Sequence, residues 1–270
     1  MLFRSEIPGE LVSPTQPFPT NPPPFAKLSL TAAQVNPYII SPDTRTSYQQ
    51  RVAAARYDGP FTPIAYEETL HVPGNSGGSN WGSTASHPTD GSLYVITLNV
   101  PALIRLLKPG EVRKTNGGGA AGTVSTLEHP IMDGFGLLAD IVSPPYQTLT
   151  AYDLNKGTIK WQIGLGDDLR LIPQGITGTG AASQTKTSII PTATGVLFVT
   201  APDNKVHIYD SDNGHQLAAL PLGGSTSGSP SMYEANGKQY LLVTASGGQG
   251  RGGAPAAGGA PSGLIAYALK

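Results

Sequence analysis

Imidazoles and carboxylates are the groups most able to do chemistry, and in this chain they are thinly spread. His71, His87, His129, His207 and His215 never stand at metal-ligand spacing, so the sequence gives no support to a zinc site. His87 and His129 each precede proline and read as turn residues. The run Asp210-Ser211-Asp212-Asn213-Gly214 offers the carboxylates of a calcium loop. Its glycine arrives one position early, however, and no glutamate follows at the twelfth position. Asp167-Asp168 reads as a solvated turn, and Asp153 and Asp210 as Asx-type turn residues ahead of Gly157 and Gly214. Gly117-Gly118-Gly119 and Gly178-Thr179-Gly180 lack the strand–turn–helix context of a dinucleotide fingerprint. A serine hydrolase finds no paired histidine to serve it.

The composition narrows the classes further. Charged residues make up 13% of the 270, against about 25% in an ordinary domain. The net charge is −1, so no basic field exists to hold a phosphate backbone, and nucleic acid is not an expected partner. The absence of cysteine excludes disulfides, iron–sulfur clusters and thiolate zinc sites. The opening residues, Met1 to Gly9, carry no apolar run after the charge and do not read as a signal peptide. No apolar run is long enough to span a membrane as a helix.

Any site must therefore be positioned by turns and strands. Residues 1–62 read as a Pro-rich extended segment with short helices, and residues 63–270 as β-propeller blades. Proline fixes φ and removes donors, so the stretch through Pro22-Pro23-Pro24 should be extended and irregular, with Phe18 and Phe25 lying against a surface. Asp43 is expected to cap a helix from Thr44 to about Arg56, and a helical turn is expected after Thr31. Strands are expected at 91–96, 149–161, 195–200 with 205–214, and 238–244 with 263–268, each apolar or alternating and closed by Gly, Asn or Asp.

Two of these segments repeat. Ala151-Tyr152-Asp153 through Gly157 matches Ile208-Tyr209-Asp210 through Gly214 at an offset of 57 residues, and Gly166 falls opposite Gly223. Ile265-Ala266-Tyr267 echoes the same strand once more. A β-only repeat of this length points to propeller blades, each needing a neighbour to bury its faces. Three or four blades fit after residue 70, which is too few for a ring once the long loops 108–130 and 247–263 are set aside. The fold expected is all-β, a partial β-propeller with an irregular, short-helical N-terminal segment.

Several motifs in order resemble PQQ-dependent (pyrroloquinoline quinone) quinoprotein dehydrogenases, most of all the membrane glucose dehydrogenase branch. They are Ser13-Pro14-Thr15-Gln16-Pro17-Phe18, the stretch from Arg56 to Pro63, Val72-Pro73-Gly74-Asn75 through Trp81-Gly82, the blade motif from Leu149 to Trp161, and the closing segments from Asn236 and to Leu269. The resemblance implies the C-terminal blades of an eight-bladed propeller that oxidises a sugar or alcohol by hydride transfer to PQQ. It implies a calcium ion whose ligands, like the general base, lie upstream of the matched region, so no catalytic or metal residue is assigned here. It implies upstream propeller blades as partners, a quinone or cytochrome as electron acceptor, and a periplasmic location, with the fragment inactive alone.

The resemblance carries three cofactor contacts onto this sequence. Asn75 falls on the amide that hydrogen-bonds the quinone edge of PQQ, a group with both donor and acceptor and no charge. Asn80 and Trp81 lie in the glycine-rich run whose main chain passes near the cofactor. Asn75 as a plain turn residue, and Trp81 as a core aromatic, are the competing readings. Trp161 is expected to dock its blade on the next. The chain departs from the pattern at Ala218, which takes the place of a second docking Trp, at Gly247-Gly248-Gln249, where the branch has Gly-Gly-His, and at Asn80. A non-catalytic propeller that scaffolds or binds is the alternative function.

Overall fold

A β repeat with a period near sixty residues should give four-stranded antiparallel sheets, and the computed structural model of the protein shows where each strand falls. It describes residues 9–11, 13, 15–75, 77–79, 84–87, 89–114, 119–134, 138–181, 187–226, 228–246 and 263–268. Contacts divide the chain into two units. One holds residues 1–20, 26–78 and 99–143; the other holds 21–25, 79–98 and 144–270.

The first unit carries α1 (Pro42–Ala54) and a three-stranded sheet in the order β1 (Thr69–His71), β4 (Ala102–Leu106), β5 (Met132–Asp133). The helix starts two residues earlier than the sequence suggests. Ser41, not Asp43, is the cap: its Oγ accepts from the Thr44 amide at 3.2 Å, and Pro42 takes the first turn, where no donor is needed. Asp43 sits inside that first turn, where its charge suits the helix dipole. The helix buries only Val52 and is held from outside by the Arg51–Glu68 ion pair. The turn after Thr31 is a short 3-10 segment, Ala32–Gln34. Phe18 rests edge-on against Phe61, with centroids 6.3 Å apart, so the Pro-rich stretch does lie on a surface there. The core of this unit is built from Leu70, Leu103, Ile104, Leu106 and Leu107, all buried.

The second unit holds three sheets. The first has the order β2 (Thr84–Ser86), β3 (Ser92–Leu98), β6 (Gln147–Asp153), β7 (Thr158–Gly164). The second is a continuous meander of β8 (Ile189–Pro191), β9 (Val196–Ala201), β10 (Lys205–Asp210) and β11 (Gln216–Pro221). The third has β12 (Ser231–Ala235), β13 (Lys238–Ala245) and β14 (Gly263–Ala268). β3 and β6 pair along their full length although residues 99–146 separate them in sequence. These are the expected blades, and every strand anticipated from the sequence is present.

The repeat holds in detail. β6 and β7 superpose on β10 and β11 at the 57-residue offset, and each pair carries a register shift at the same place, between Ala151 and Tyr152 and between Ile208 and Tyr209. The intervening turns are alike. Asp153 Oδ1 accepts from the Asn155 and Lys156 amides at 3.0 and 3.2 Å, and Asp210 Oδ1 from the Asp212 amide at 2.8 Å. Both carboxylates are thus spent on their turns, as Asx residues should be.

Contacts between repeats also recur. Trp161 donates its indole N–H to the Ser211 carbonyl at 3.0 Å and lies against Gly214 of the following sheet, with Tyr94 behind it at 6.1 Å. The repeated tyrosine of each sheet reaches back toward what precedes it. Tyr209 Oη accepts from the Gly166 amide, and the Tyr267 hydroxyl donates to the Pro221 carbonyl at 2.6 Å. Tyr152 has no earlier sheet in this unit and donates instead to the Pro23 carbonyl. Residues 21–25 occupy that flank: Gln162 Nε2 donates to the Phe25 carbonyl at 3.0 Å, and the Asn21 side chain faces Gly157 as Trp161 faces Gly214.

Asp167-Asp168 is not the solvated turn its polarity suggests. Asp168 is buried, and Arg170 grips both its carboxylate oxygens at 3.0 and 2.7 Å. Burial alone would raise its pKa, but Arg170 outweighs burial and holds the carboxyl below its ordinary range. Asp167 accepts from the Thr179 amide at 3.1 Å.

Candidate cofactor site

The segment from β1 to Gly78 is built to hold one amide in a fixed place. β1 pairs with β4 in strict antiparallel register, His71 opposite Ala102. The chain then turns through Val72 and Pro73 and returns along β4's approach. The Gly74 amide donates to the Val100 carbonyl at 2.8 Å, and the Gly77 amide donates to the Gly74 carbonyl at 2.8 Å. Asn75 is therefore the second residue of a closed four-residue turn. Gly74 is required there, since a Cβ would stand 2.7 Å from the Val100 oxygen and 2.9 Å from the Pro101 carbonyl carbon. Gly74→Ala is expected to cost about 1–3 kcal/mol in a thermal or denaturant melt, because the obstacle is backbone and cannot swing aside.

The end of that turn carries an unpaid polar atom. Asn75 Oδ1 is buried with no hydrogen-bond partner among the described residues. A buried amide oxygen left alone costs about 1–3 kcal/mol, so its persistence needs a reason. The two ends of an Asn amide exchange by a simple flip, so this position can present either an acceptor or an NH2 donor to a ligand. His71, four residues earlier, has a second such atom, Nε2. Burial pulls its pKa down, partly opposed by a backbone hydrogen bond to Thr62, so the ring is neutral at pH 7. Sequence reading passed over His71; its only sign there is a histidine closing an apolar strand just before the turn. The other two predicted contacts, Asn80 and Trp81, lie outside the described residues.

Gly74-Asn75-Ser76-Gly77-Gly78 also spells Gly-x-Ser-x-Gly. A nucleophile elbow joins a strand to a helix, whereas the next described elements after this segment are the strands β2 and β3. Among those residues, too, no three His, Asp or Glu side chains cluster as a metal site would require. No helix described is long and apolar enough to cross a membrane.

A second buried polar group lies in the other unit and was not foreseen. His207 on β10 has Asp203 oxygens 2.9 and 3.1 Å from Nε2, and Gln216 Oε1 2.8 Å from Nδ1. The ring stacks on Tyr209 at 5.8 Å. All of its polar atoms are satisfied, which makes it a structural group.

Comparison with known proteins gives the family of the chain. The family described as PQQ, glucose/ethanol/alcohol dehydrogenase, β-propeller domain, matches residues 2–241. The quinate/shikimate dehydrogenase (quinone) of Acinetobacter baylyi is 29% identical over 98% of this chain and 34% of its own length. The glycerol dehydrogenase large subunit of Gluconobacter oxydans is 31% identical over 89% of this chain and 35% of its own. The quinoprotein glucose dehydrogenase of Escherichia coli is 28% identical, over 88% and 32%. The chain spans about a third of the length of these relatives.

Proposed function

The chain belongs to the PQQ-dependent glucose/ethanol/alcohol dehydrogenase β-propeller family, and from that premise we propose that it is the C-terminal portion of a quinoprotein dehydrogenase acting on a sugar or alcohol, and that it supplies one wall of the PQQ pocket. The observation that carries the reading is the buried, partnerless side-chain oxygen of Asn75, among the described residues, on a turn that backbone contacts hold rigid. A neutral amide facing a carbonyl-rich, flat cofactor loses its desolvation cost when the cofactor arrives.

When bound, PQQ supplies the two-electron sink: the carbinol carbon gives up a hydride and its hydroxyl a proton, leaving a carbonyl product. This chain's residues bind and orient. Asn75 would hold the quinone edge, and neutral His71 keeps positive charge away from the turn. Asn80 and Trp81 would add main-chain and ring contacts. The calcium ion, its ligands and the general base belong to upstream blades, so the portion by itself is inactive. Periplasmic residence and a quinone or cytochrome as acceptor go with this reading.

The test is a titration with PQQ and calcium, followed by cofactor absorbance, of this chain joined to its upstream blades. Saturable uptake with dehydrogenase activity is expected; no uptake by the joined protein would reject the proposal. Asn75→Leu in that protein should weaken PQQ binding by about tenfold or more, the worth of one buried hydrogen bond near 1.4 kcal/mol, and leave the melting point unlowered because the orphan atom is gone. A propeller that binds a different ligand without catalysis is the second reading. The lost docking indole at Ala218 favours it, and cofactor-free folding with no response to PQQ would support it.

A further inference from the structure

The 57-residue repeat shows what is missing at one place. At the first interface between sheets, the Trp161 indole fills the space against Gly214, opposite Ala151 in the strand pairing. Its counterpart in the next repeat is Ala218, which stands opposite Ile208 in the same way. Among the described residues, no side chain of indole size replaces it. Leu217, on the bulge beside it, is 54% exposed. A cleft of about 450 Å3 is left between the second and third sheets, lined by Phe198, Ile208, Leu220, Met232, Leu241 and Tyr267.

We propose that this cleft beside Ala218 is a binding site for a single flat aromatic molecule of indole size. The neighbouring interface is the argument: the same strand positions there enclose a bicyclic ring supplied by the chain itself. The volume falls in the range of small-molecule sites, and a largely apolar lining of this extent suits an aromatic guest. Two aromatic rings and a thioether offer edge, face and sulfur contacts. The lining is mainly apolar and the Tyr267 hydroxyl is already spent on the Pro221 carbonyl, so apolar area dominates the site, with Thr192, Thr194 and Gln239 as its polar margin. The inference rests on the repeat and is independent of the cofactor reading.

The experiment is titration of the full chain with indole, followed by backbone amide NMR, with imidazole as a flat but polar control. Saturable one-site shifts at Leu220, Leu241 and Tyr267 are expected with indole and not with imidazole. Ala218→Trp should fill the cleft from within, raise the melting point and weaken indole binding by at least about tenfold, while Ala218→Ser keeps it. If Ala218→Trp does not fold, Ile208→Phe enters the same space from β10 and should weaken binding likewise. No saturable shifts, undiminished binding in the filled variants, or shifts of the lining residues that follow protein concentration instead of indole, as a second copy occupying the cleft would produce, would each overturn the proposal.

Discussion

Trp161→Ala is expected to lower the stability of the second unit by about 3 kcal/mol, among the largest effects of any single truncation here. The indole both packs and hydrogen-bonds across the first sheet interface: it rests on Gly214, backs onto Tyr94 and donates to the Ser211 carbonyl. Removing it forfeits the transfer energy of a large ring and leaves a hole that two paired sheets cannot close by small shifts. Denaturant unfolding measures the loss. Gly214→Ala supplies the internal check. Its new Cβ would stand 2.8 Å from the Trp161 ring, at a residue with φ of +73°. Part of its cost is therefore steric and must vanish when Trp161 is already alanine. A double-mutant cycle should show coupling of about 1 kcal/mol, and strict additivity would contradict the docking role.

Asp203→Ala should cost a similar amount, about 3 kcal/mol near pH 6, because it strips the partner from a buried imidazole. The side chains of His207 and Asp203 are only 5% and 1% exposed. Burial lowers the His207 pKa, but the Asp203 carboxylate and the Gln216 carbonyl together overcome burial, and the net displacement is upward. The sign of the pH effect follows. A folded pKa above the unfolded value of 6.5 means the pair's contribution is complete below about pH 6.5 and is lost as pH rises through the folded pKa. Wild-type melting temperature should thus fall across that window. Asp203→Asn, which keeps a hydrogen-bond acceptor without the charge, should flatten the fall and cost less than alanine. A wild-type profile that is flat there, or one that rises, would refute the assignment. In the alanine variant the ring can shed its proton, which keeps the loss at the low end for a broken buried pair.

How much of this was legible beforehand depends on range. The strands β6, β7, β9, β10, β13 and β14 declared themselves because five to seven alternating residues and a closing glycine are local signals. The 57-residue repeat was legible because Tyr152 and Tyr209 keep one spacing to their turn glycines, whereas the bulge they share shows only in the strand pairing. β11, with Gln216-Leu217-Ala218-Ala219, was not, because its residues are mostly exposed and it is held by its neighbour β10 instead of by its own pattern. Nor was the pairing of β3 with β6 across residues 99–146, which no window of sequence contains. Asp168 looked solvated because nothing local says that Arg170 folds back onto it. The Asn75 turn was located through resemblance to a family, and the geometry adds a buried side-chain oxygen with no partner among the described residues. His71 and the His207–Asp203 pair were missed, since solitary histidines reveal neither burial nor partner.

The short strip at residues 21–25 has a consequence for how a stack of sheets can stop. The side chains of Tyr152 and Gln162 ask it only for carbonyl oxygens, from Pro23 and Phe25. Pro22, Pro23 and Pro24 have no amide hydrogen to offer in return. A strip of this kind can be clasped but cannot template another strand, so it shields this flank of the array from growing by edge-to-edge addition. Replacing those prolines with residues that carry an N–H would leave the clasp intact and remove that protection against self-association.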